Sequence, residues 1–469
     1  MDDASVRGRC LPGAMTRRVD VDYLVVGAGA TGMAFADALI DHANVRVALV
    51  DRRHSVGGHW LSAYPFVRLH QASAFYGVAS TLLGGGLLQQ RGPEAGLSER
   101  ASAAEVCAYY ERIADRLLGS GKAELFMGCE YVGDRRFVSR VSGRDFEVPA
   151  ACRIVDAAYL APSIPATTPP PFGVGEGAHV IPVNDLVRVA GAAPRYVIVG
   201  SGKTATDACV WLLAQGVDAG KIRWVRPREP WMLNRAVIQP DPVVFFGMVA
   251  DMMKAATSAE SMPDLFLRLE DAGIMMRVDP AVAATMARAP TLAAWELAEL
   301  RKIEDVVRLG HIREVTAASI MFDDRSVALE RGALVVHCAA AGLKQPPSVP
   351  IWRPSAITLQ PIRAGFPCFG AALAGYVEAT RRDDAEKNLL CPPTPYGNSL
   401  TDWVRMTVLG ARSVRAFSSQ PDIKDWSDRV ALNPARTPTE TSAALDDVLA
   451  RLAKHGARGL ARLGELASV

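Results

Sequence analysis

No two of the eight cysteines in this 469-residue chain form a Cys-x-x-Cys pair. Enzymes that reduce disulfides through a flavin and a nicotinamide use a proximal redox pair of that kind, so the spacing argues against this class. The cysteines stand at positions 10, 107, 129, 152, 209, 338, 368 and 391. We expect them to pack as small apolar side chains in a reducing compartment, which predicts a cytoplasmic protein.

The sequence also lacks any run of about 18 apolar residues, so it predicts no membrane span. Its first 19 residues are polar and lack the apolar core of a secretory signal. We expect residues 1–19 to be a disordered leader, with Met15 as a candidate start. Lysine and arginine (52) nearly balance aspartate and glutamate (50), so the composition favours no nucleic-acid partner. The length predicts two or three domains.

Two glycine-rich turns, 173 residues apart, are the most informative feature that is present. Each follows a short apolar run and precedes an alanine-rich helical stretch, the order in which backbone N–H groups approach a pyrophosphate. Two such turns predict two dinucleotides on one chain and electron transfer between them. The residues of the turns are Gly27, Ala28, Gly29 and Gly32 in the first, and Gly200, Ser201, Gly202, Lys203 and Thr204 in the second, where Ala205 replaces the third glycine.

The strand that follows each turn ends in residues of opposite charge. Asp51 closes the strand after the first turn, where an acidic residue bonds a ribose hydroxyl. Arg226 and Arg228 follow the corresponding strand of the second unit, and arginine there suits the 2′-phosphate of NADPH. The alternatives are a turn that binds nothing in the first unit and a basic surface loop in the second. Lys203 either supports the pyrophosphate or points to solvent.

The order of the remaining patterns predicts an α/β protein whose second dinucleotide-binding domain is inserted in the first. Strand 334–342 ends in small residues and is assigned to the sheet of the first domain. The runs 124–131, 136–141 and 152–160 are predicted to form an antiparallel meander. The predicted domains are the first domain at 20–165, the second at 166–329, the return to the first at 330–400, and a helical tail at 401–469.

Residues 229–309 of the second domain show no strand pattern and are predicted to be a helical insertion. The insertion is rich in methionine, so it forms either an adaptable wall over an apolar substrate or an ordinary helical core. The tail from Thr439 is predicted to be an amphipathic helix that packs against the rest of the chain. Ser102–Glu105 has the pattern of a capping box and predicts a helix from there to about Leu118.

Together these motifs resemble the class B flavoprotein monooxygenases, which comprise flavin-containing monooxygenases, N-hydroxylating enzymes and Baeyer–Villiger enzymes. The resemblance covers about half of the chain and includes Gly57–Trp60 and the segment Tyr64–His70, beside the two turns. It implies two Rossmann-like domains, with FAD on the first and NADPH on the second. The residues expected to bind FAD are Gly27, Ala28, Gly29, Gly32, Asp51, Arg52, Gly58, Trp60, Arg68 and Leu69. The other expected cofactor-binding residues are those of the second turn together with Arg226, Arg228 and Gly342.

The chain departs from the family pattern at two places. The signature F-x-G-x-x-x-H before the second turn is altered in spacing at Phe172–His179, and the final Ala-Thr-Gly becomes Ala340-Ala341-Gly342. The resemblance therefore supports two cofactors better than it supports oxygenation. The expected reaction is insertion of oxygen from O₂ into a small organic substrate through a flavin hydroperoxide. An NAD(P)H oxidoreductase or oxidase without insertion, and a cofactor-binding protein without turnover, remain alternatives.

Three side chains in the segments near the expected flavin could serve as catalytic hydrogen-bond donors. His59, His70 and Gln71 can each donate to a reduced-oxygen adduct that must be kept from water. A buried histidine can equally be a structural residue. The sequence contains no evident Ser–His–Asp arrangement or metal-ligand cluster, and oxygen transfer by a flavin needs neither.

Overall fold

The computed structural model describes residues 16–340, 342–363, 365–440 and 442–469. Its strands are β1 Arg17–Arg18, β2 Tyr23–Val26, β3 Val47–Asp51, β4 Ala123–Met127, β5 Cys129–Gly133, β6 Arg136–Ser139, β7 Asp145–Glu147, β8 Arg153–Asp156, β9 Gly173–Val174, β10 Val180–Pro182, β11 Tyr196–Val199, β12 Ile222–Val225, β13 Pro230–Asn234, β14 Met275–Met276, β15 Met286–Leu292, β16 Val306–Val307, β17 Glu314–Val315, β18 Ser319–Met321, β19 Ser326–Ala328, β20 Leu334–His337 and β21 Ile357–Thr358.

The α-helices are α1 Ala30–His42, α2 Ala103–Gly119, α3 Lys203–Ala214, α4 Pro242–Thr257, α5 Met262–Asp271, α6 Ala294–Leu300, α7 Pro367–Thr380, α8 Asp384–Leu390, α9 Leu400–Phe417, α10 Pro421–Arg429 and α11 Ala443–Ala467. The capping box at Ser102 is present, and its helix α2 runs one residue past the predicted end.

The first glycine-rich turn lies between β2 and α1, in a parallel sheet of order β21-β8-β2-β3-β4. Every residue of β3 is buried, as expected for a strand of a parallel sheet that is covered on both faces. Helix α7 packs along α1 on one face of this sheet. The strand–turn–helix prediction for this unit is confirmed.

The second turn lies between β11 and α3, in a separate parallel sheet of order β10-β20-β11-β12-β16. The two sheets confirm the predicted α/β class with two Rossmann-like units. The assignment of strand 334–342 to the first sheet was wrong, because β20 pairs with β11 and β10. The chain returns to the first sheet at β21, which pairs with β8. A short apolar strand fits the centre of either parallel sheet, so its own residues do not select the partner.

The predicted antiparallel meander also differs from the structure. Its first run is divided, with β4 in the first parallel sheet, and its last run supplies β8 of the same sheet. The antiparallel part is β5-β6-β7, which β1 extends in parallel with β7. Arg17 and Arg18 are therefore a strand and not part of a disordered leader, whereas residues 1–15 of that prediction lie outside the described residues.

The prediction of a helical insertion without strands at 229–309 was only partly right. This region combines α4, α5 and α6 with the three-stranded sheet β14-β13-β15. We call this region the third lobe. Several of its methionines are buried within strands, where alternation is hidden because both faces are covered. The predicted amphipathic tail is confirmed as α11, which packs against α4 and α9.

Candidate functional site

The first turn is built by close backbone contacts that exclude side chains. A Cβ at Gly32 would overlap the carbonyl oxygen of Gly27, so only glycine lets α1 approach β2 this closely. Gly58 has a φ of +61°, and a Cβ there would lie 2.9 Å from the Cα of Gly29. The Gly57–Trp60 segment therefore packs directly on the first turn.

The N-terminus of α1 favours an anion, and the carboxylate of Asp51 lies beside it. Helix α1 starts after Gly29 with no side-chain cap and no acidic residue in its first turn, so its N-terminal N–H groups face outward without a built-in acceptor. Asp51 is 7% exposed, and its two carboxylate oxygens accept hydrogen bonds from the backbone N–H groups of Ala28 and Arg53, both at 2.9 Å. Arg52 is exposed, and its carbonyl oxygen accepts a bond from Arg140.

The second turn has the same arrangement, with Gly202 as the uncapped residue before α3. Lys203 was predicted either to support the pyrophosphate or to point to solvent. In the structure its ammonium group instead forms an ion pair with Asp207 one helical turn later. Tyr64 donates a hydrogen bond to the same carboxylate at 2.7 Å. Phe66 stacks on Trp211 with ring centroids 4.9 Å apart. The segment after the first turn thus contacts the helix of the second turn.

The two arginines proposed for the 2′-phosphate occupy different environments. Arg226 is 2% exposed, forms an ion pair with Glu229 and lies over the Trp224 ring at 4.6 Å, so its guanidinium is inside the protein. Arg228 is exposed, and no carboxylate of the described residues pairs with it. Arg228 is therefore the arginine that is free to bind an anion from solution.

A cavity of about 780 Å³ lies between the second turn and the segment that runs from His59 to Tyr76. Of the lining residues that the structure describes, none is aspartate or glutamate, whereas Arg68, Lys203 and Arg228 are basic. The predicted site residues in its wall are His59, Trp60, Arg68, Leu69, His70, Gln71, Gly200, Ser201, Gly202, Lys203, Thr204, Arg228 and Gly342. Those outside the wall are Gly27, Ala28, Gly29, Gly32, Asp51, Arg52, Gly58 and Arg226.

Both predicted histidines stay neutral in this cavity. Burial lowers the pKa of His70 to about 3, and the charges of Lys203, Arg235 and Arg100 act in the same direction. Burial, together with Arg53, lowers the pKa of His59 to about 4. At neutral pH each ring therefore carries a single proton and can donate one hydrogen bond.

Sequence reasoning missed a buried ionic network directly behind His70, where the third lobe meets the chain before α2. Arg235 is 2% exposed and pairs with Glu94 and, at 2.8 Å, with Glu296. Arg100 donates to Glu94 at 2.7 Å. Burial alone would raise the pKa of Glu94, but the hydrogen bonds from Arg100 and the charge of Arg235 outweigh it and lower that pKa to about 2.

Residues 25–78 match a family model described as an NAD(P)-binding Rossmann-like domain. Uncharacterized protein Rv2000 of Mycobacterium tuberculosis is 40% identical over 424 residues, which are 89% of this chain and 78% of the relative. Uncharacterized protein Mb2023 of Mycobacterium bovis matches to the same extent. The chain belongs to the family of these mycobacterial proteins. The Rossmann-like match at residues 25–78 agrees with the first half of the resemblance drawn from the motifs.

Solved structures also superpose on this member of the Rv2000 family. The closed crystal structure of cyclohexanone monooxygenase gives a TM-score of 0.47 at 15% identity, covering 95% of this chain and 98% of that chain. The bacillithiol disulfide reductase Bdr of Bacillus cereus gives 0.45 at 11% identity, covering 78% and 100%. Both superpositions are loose, and the two parallel sheets with their turns are what define the fold of this chain.

Two further features bear on the kind of site. The described helices include none long and apolar enough to cross a membrane. Within the described ranges, no three side chains of His, Cys, Asp or Glu are grouped so that they could hold a metal ion.

Proposed function

We propose that the chain is an NADPH-dependent FAD monooxygenase that inserts one oxygen atom of O₂ into a small organic substrate. The cavity beside the second turn is the observation that carries this proposal. The second turn lines it directly, and the first turn reaches it through Gly58, which precedes His59 and Trp60 in the wall. Hydride transfer requires the nicotinamide and the flavin to meet in one space. FAD, when bound, supplies the acceptance of a hydride and the activation of O₂.

The residues of the first turn fit the FAD pyrophosphate and ribose. Gly29 and Gly32 carry no side chains, and the close packing at Gly32 requires glycine. A phosphate can therefore approach the N–H groups at the N-terminus of α1. Asp51 accepts one backbone hydrogen bond on each oxygen, which leaves a lone pair on each for ribose hydroxyls. Its burial fixes this orientation before the nucleotide arrives.

The second turn fits NADPH, with Arg228 as the group that selects the 2′-phosphate. Arg226 is unsuitable because its side chain is 2% exposed and lies beside Glu229 inside the protein. The charge of Lys203 is similarly balanced by Asp207, so Lys203 orients the turn more than it attracts a phosphate. A charge-assisted hydrogen bond from Arg228 contributes about 1.5–3 kcal/mol to NADPH binding.

The reaction region lies where His59, His70 and Gln71 meet aromatic side chains in the cavity wall. The Trp60 indole donates to the Tyr76 hydroxyl at 2.6 Å, so these two polar groups are satisfied and present mainly apolar surface. The neutral imidazoles donate hydrogen bonds without releasing a proton at physiological pH. Apolar walls exclude water, while these donors hold an oxygen atom in place.

The proposal is tested by comparing NADPH consumption with hydrogen peroxide release over a panel of amines, sulfides and ketones under ¹⁸O₂. We expect the purified protein to carry FAD, to prefer NADPH, and to place ¹⁸O in the product of at least one substrate with less peroxide than NADPH consumed. Peroxide equal to NADPH with every substrate would instead support the oxidase or reductase alternative.

A matched variant checks the assignment of the cofactor. Gly29→Asp places a side chain and a negative charge against the pyrophosphate, and we expect it to abolish FAD retention. Gly191→Asp is the control, since Gly191 is exposed and a Cβ there meets no atom within 4 Å. If the wild-type protein is colourless and does not bind added FAD, the proposal fails at its first step.

A further inference from the structure

The imidazole of His70 is held from behind by two residues of the third lobe. We propose that Thr291 and Arg235 are positioning residues that fix His70 in the tautomer with its proton on Nε2, so that the ring donates into the cavity. Thr291 lies on β15, and Arg235 directly follows β13. The identity of the acceptor in the cavity rests on the proposed function, whereas the tautomer itself does not.

The hydrogen bonds around His70 select this tautomer. The backbone N–H of Thr291 donates to His70 Nδ1 at 3.4 Å, and an imidazole nitrogen that accepts cannot carry the proton of the neutral ring. The proton must therefore be on Nε2. No group of the described residues accepts a hydrogen bond from Nε2, although His70 lines the cavity. The ring thus presents an unpartnered donor to whatever the cavity holds.

The backbone of His70 is fixed by the same two residues. Its carbonyl oxygen accepts hydrogen bonds from Arg235 Nε at 3.0 Å and from the hydroxyl of Thr291. Arg235 Nε also donates to that hydroxyl at 3.2 Å, and Arg235 Nη2 donates to the Thr291 carbonyl oxygen at 3.3 Å. These bonds join β15 to His70, so the Thr291 N–H stays within reach of the imidazole.

Arg235 cannot turn away from this position. Its remaining N–H groups bind Glu94 and Glu296, and its side chain is 2% exposed. The Trp295 indole also donates to Glu94 at 3.1 Å, which holds that carboxylate in place. A planar guanidinium with its donors engaged in fixed directions is a rigid support.

The charged groups that act on His70 are all basic. Lys203 from the second turn, Arg235 from the third lobe and Arg100 from the loop before α2 disfavour the imidazolium form. The structure provides His70 with no carboxylate partner among the described residues. His70 is therefore a donor of a hydrogen bond and not an acid, which suits a substrate or oxygen atom with negative or partial negative charge.

Nitrogen-15 NMR of the purified protein labelled in its histidine rings tests this inference, with His70→Asn to assign the signal. We expect wild-type His70 to show the Nε2–H tautomer. We also expect no titration between pH 5.5 and 8, because the lowered pKa of His70 lies below this range. Thr291→Val removes the hydroxyl, and we expect the ratio of the Nε2–H to the Nδ1–H tautomer of His70 to fall by about tenfold. Thr291→Ser should restore it.

Thr257→Val is the matched control, since its hydroxyl donates to a carbonyl oxygen within α4 and should leave the His70 signal unchanged. An Nδ1–H tautomer in the wild-type protein overturns the inference even if no variant folds. An unchanged ratio in a folded Thr291→Val protein overturns it too. Because these spectra need no turnover, a protein with the expected tautomer but no oxygen transfer would refute the proposed function alone.

Discussion

Replacing Arg235 by Met should destabilise the protein strongly, because it unbalances a buried cluster of charges. The side chain lies between Glu94 and Glu296, and Arg100 is the other cation of this cluster. Two arginines thus balance two carboxylates. Arg235→Met leaves two buried carboxylates with one guanidinium, and an uncompensated buried charge costs about 3–5 kcal/mol.

Thermal unfolding followed by circular dichroism measures this loss. We expect the melting temperature of Arg235→Met to fall by at least about 6 °C, scaled for domains of this size. Arg268→Met is the matched control, because Arg268 pairs with Asp264 at the surface, where solvent screens the ion pair and it contributes little to stability.

A second substitution separates charge imbalance from lost packing. Arg235→Met with Glu296→Gln leaves Arg100 paired with Glu94, so the charges are balanced again. We expect the double variant to be more stable than Arg235→Met alone. The charge-balance reasoning is refuted if the losses in melting temperature of the single variants Arg235→Met and Glu296→Gln simply add in the double variant. It is also refuted if Arg235→Met has the same melting temperature as the surface control.

Three further changes have defined outcomes. The charge of Glu94 contributes stability that is complete above the unfolded pKa of 4.5 and is lost as the pH falls through the folded pKa of about 2. Glu94→Gln should therefore weaken the dependence of the melting temperature on pH over that range. Gly459→Ala brings a Cβ within 2.5 Å of a carbonyl oxygen of α4 and should destabilise by about 1–3 kcal/mol in urea unfolding, whereas Gly456→Ala on the same helix should not. Arg228→Ala should raise the KM for NADPH about 10- to 150-fold and leave that for NADH unchanged, and Arg226→Ala should instead lower stability.

The elements that could be predicted from the sequence are those decided by nearby residues. The two turns, the capping box of α2 and the amphipathic helix α11 each depend on neighbours within a few positions, and all were found. Strand partners depend on residues far along the chain. β20 was assigned to the wrong sheet because an apolar strand with small residues at its end satisfies either centre equally.

The candidate site shows the same division between local and distant information. The family resemblance suggested His59 and His70, and both line the cavity. The environment of Arg226 depended on which way its side chain turned from the strand end. Glu229, three residues later, was the available signal that Arg226 has a partner inside the protein. The network behind His70 joins residues about 140 positions apart, and no periodicity in the sequence indicates that contact.

The segment from Gly58 to His70 contacts three parts of the molecule. Gly58 packs on Gly29 of the first turn, Tyr64 bonds Asp207 beside the second turn, and His70 is held by the third lobe. Each anchor fixes one point of a stretch that also forms the cavity wall. A change at one anchor must therefore move the wall against the other two. The shape of the cavity thus depends on how the three parts are joined, and not on either nucleotide-binding sheet alone.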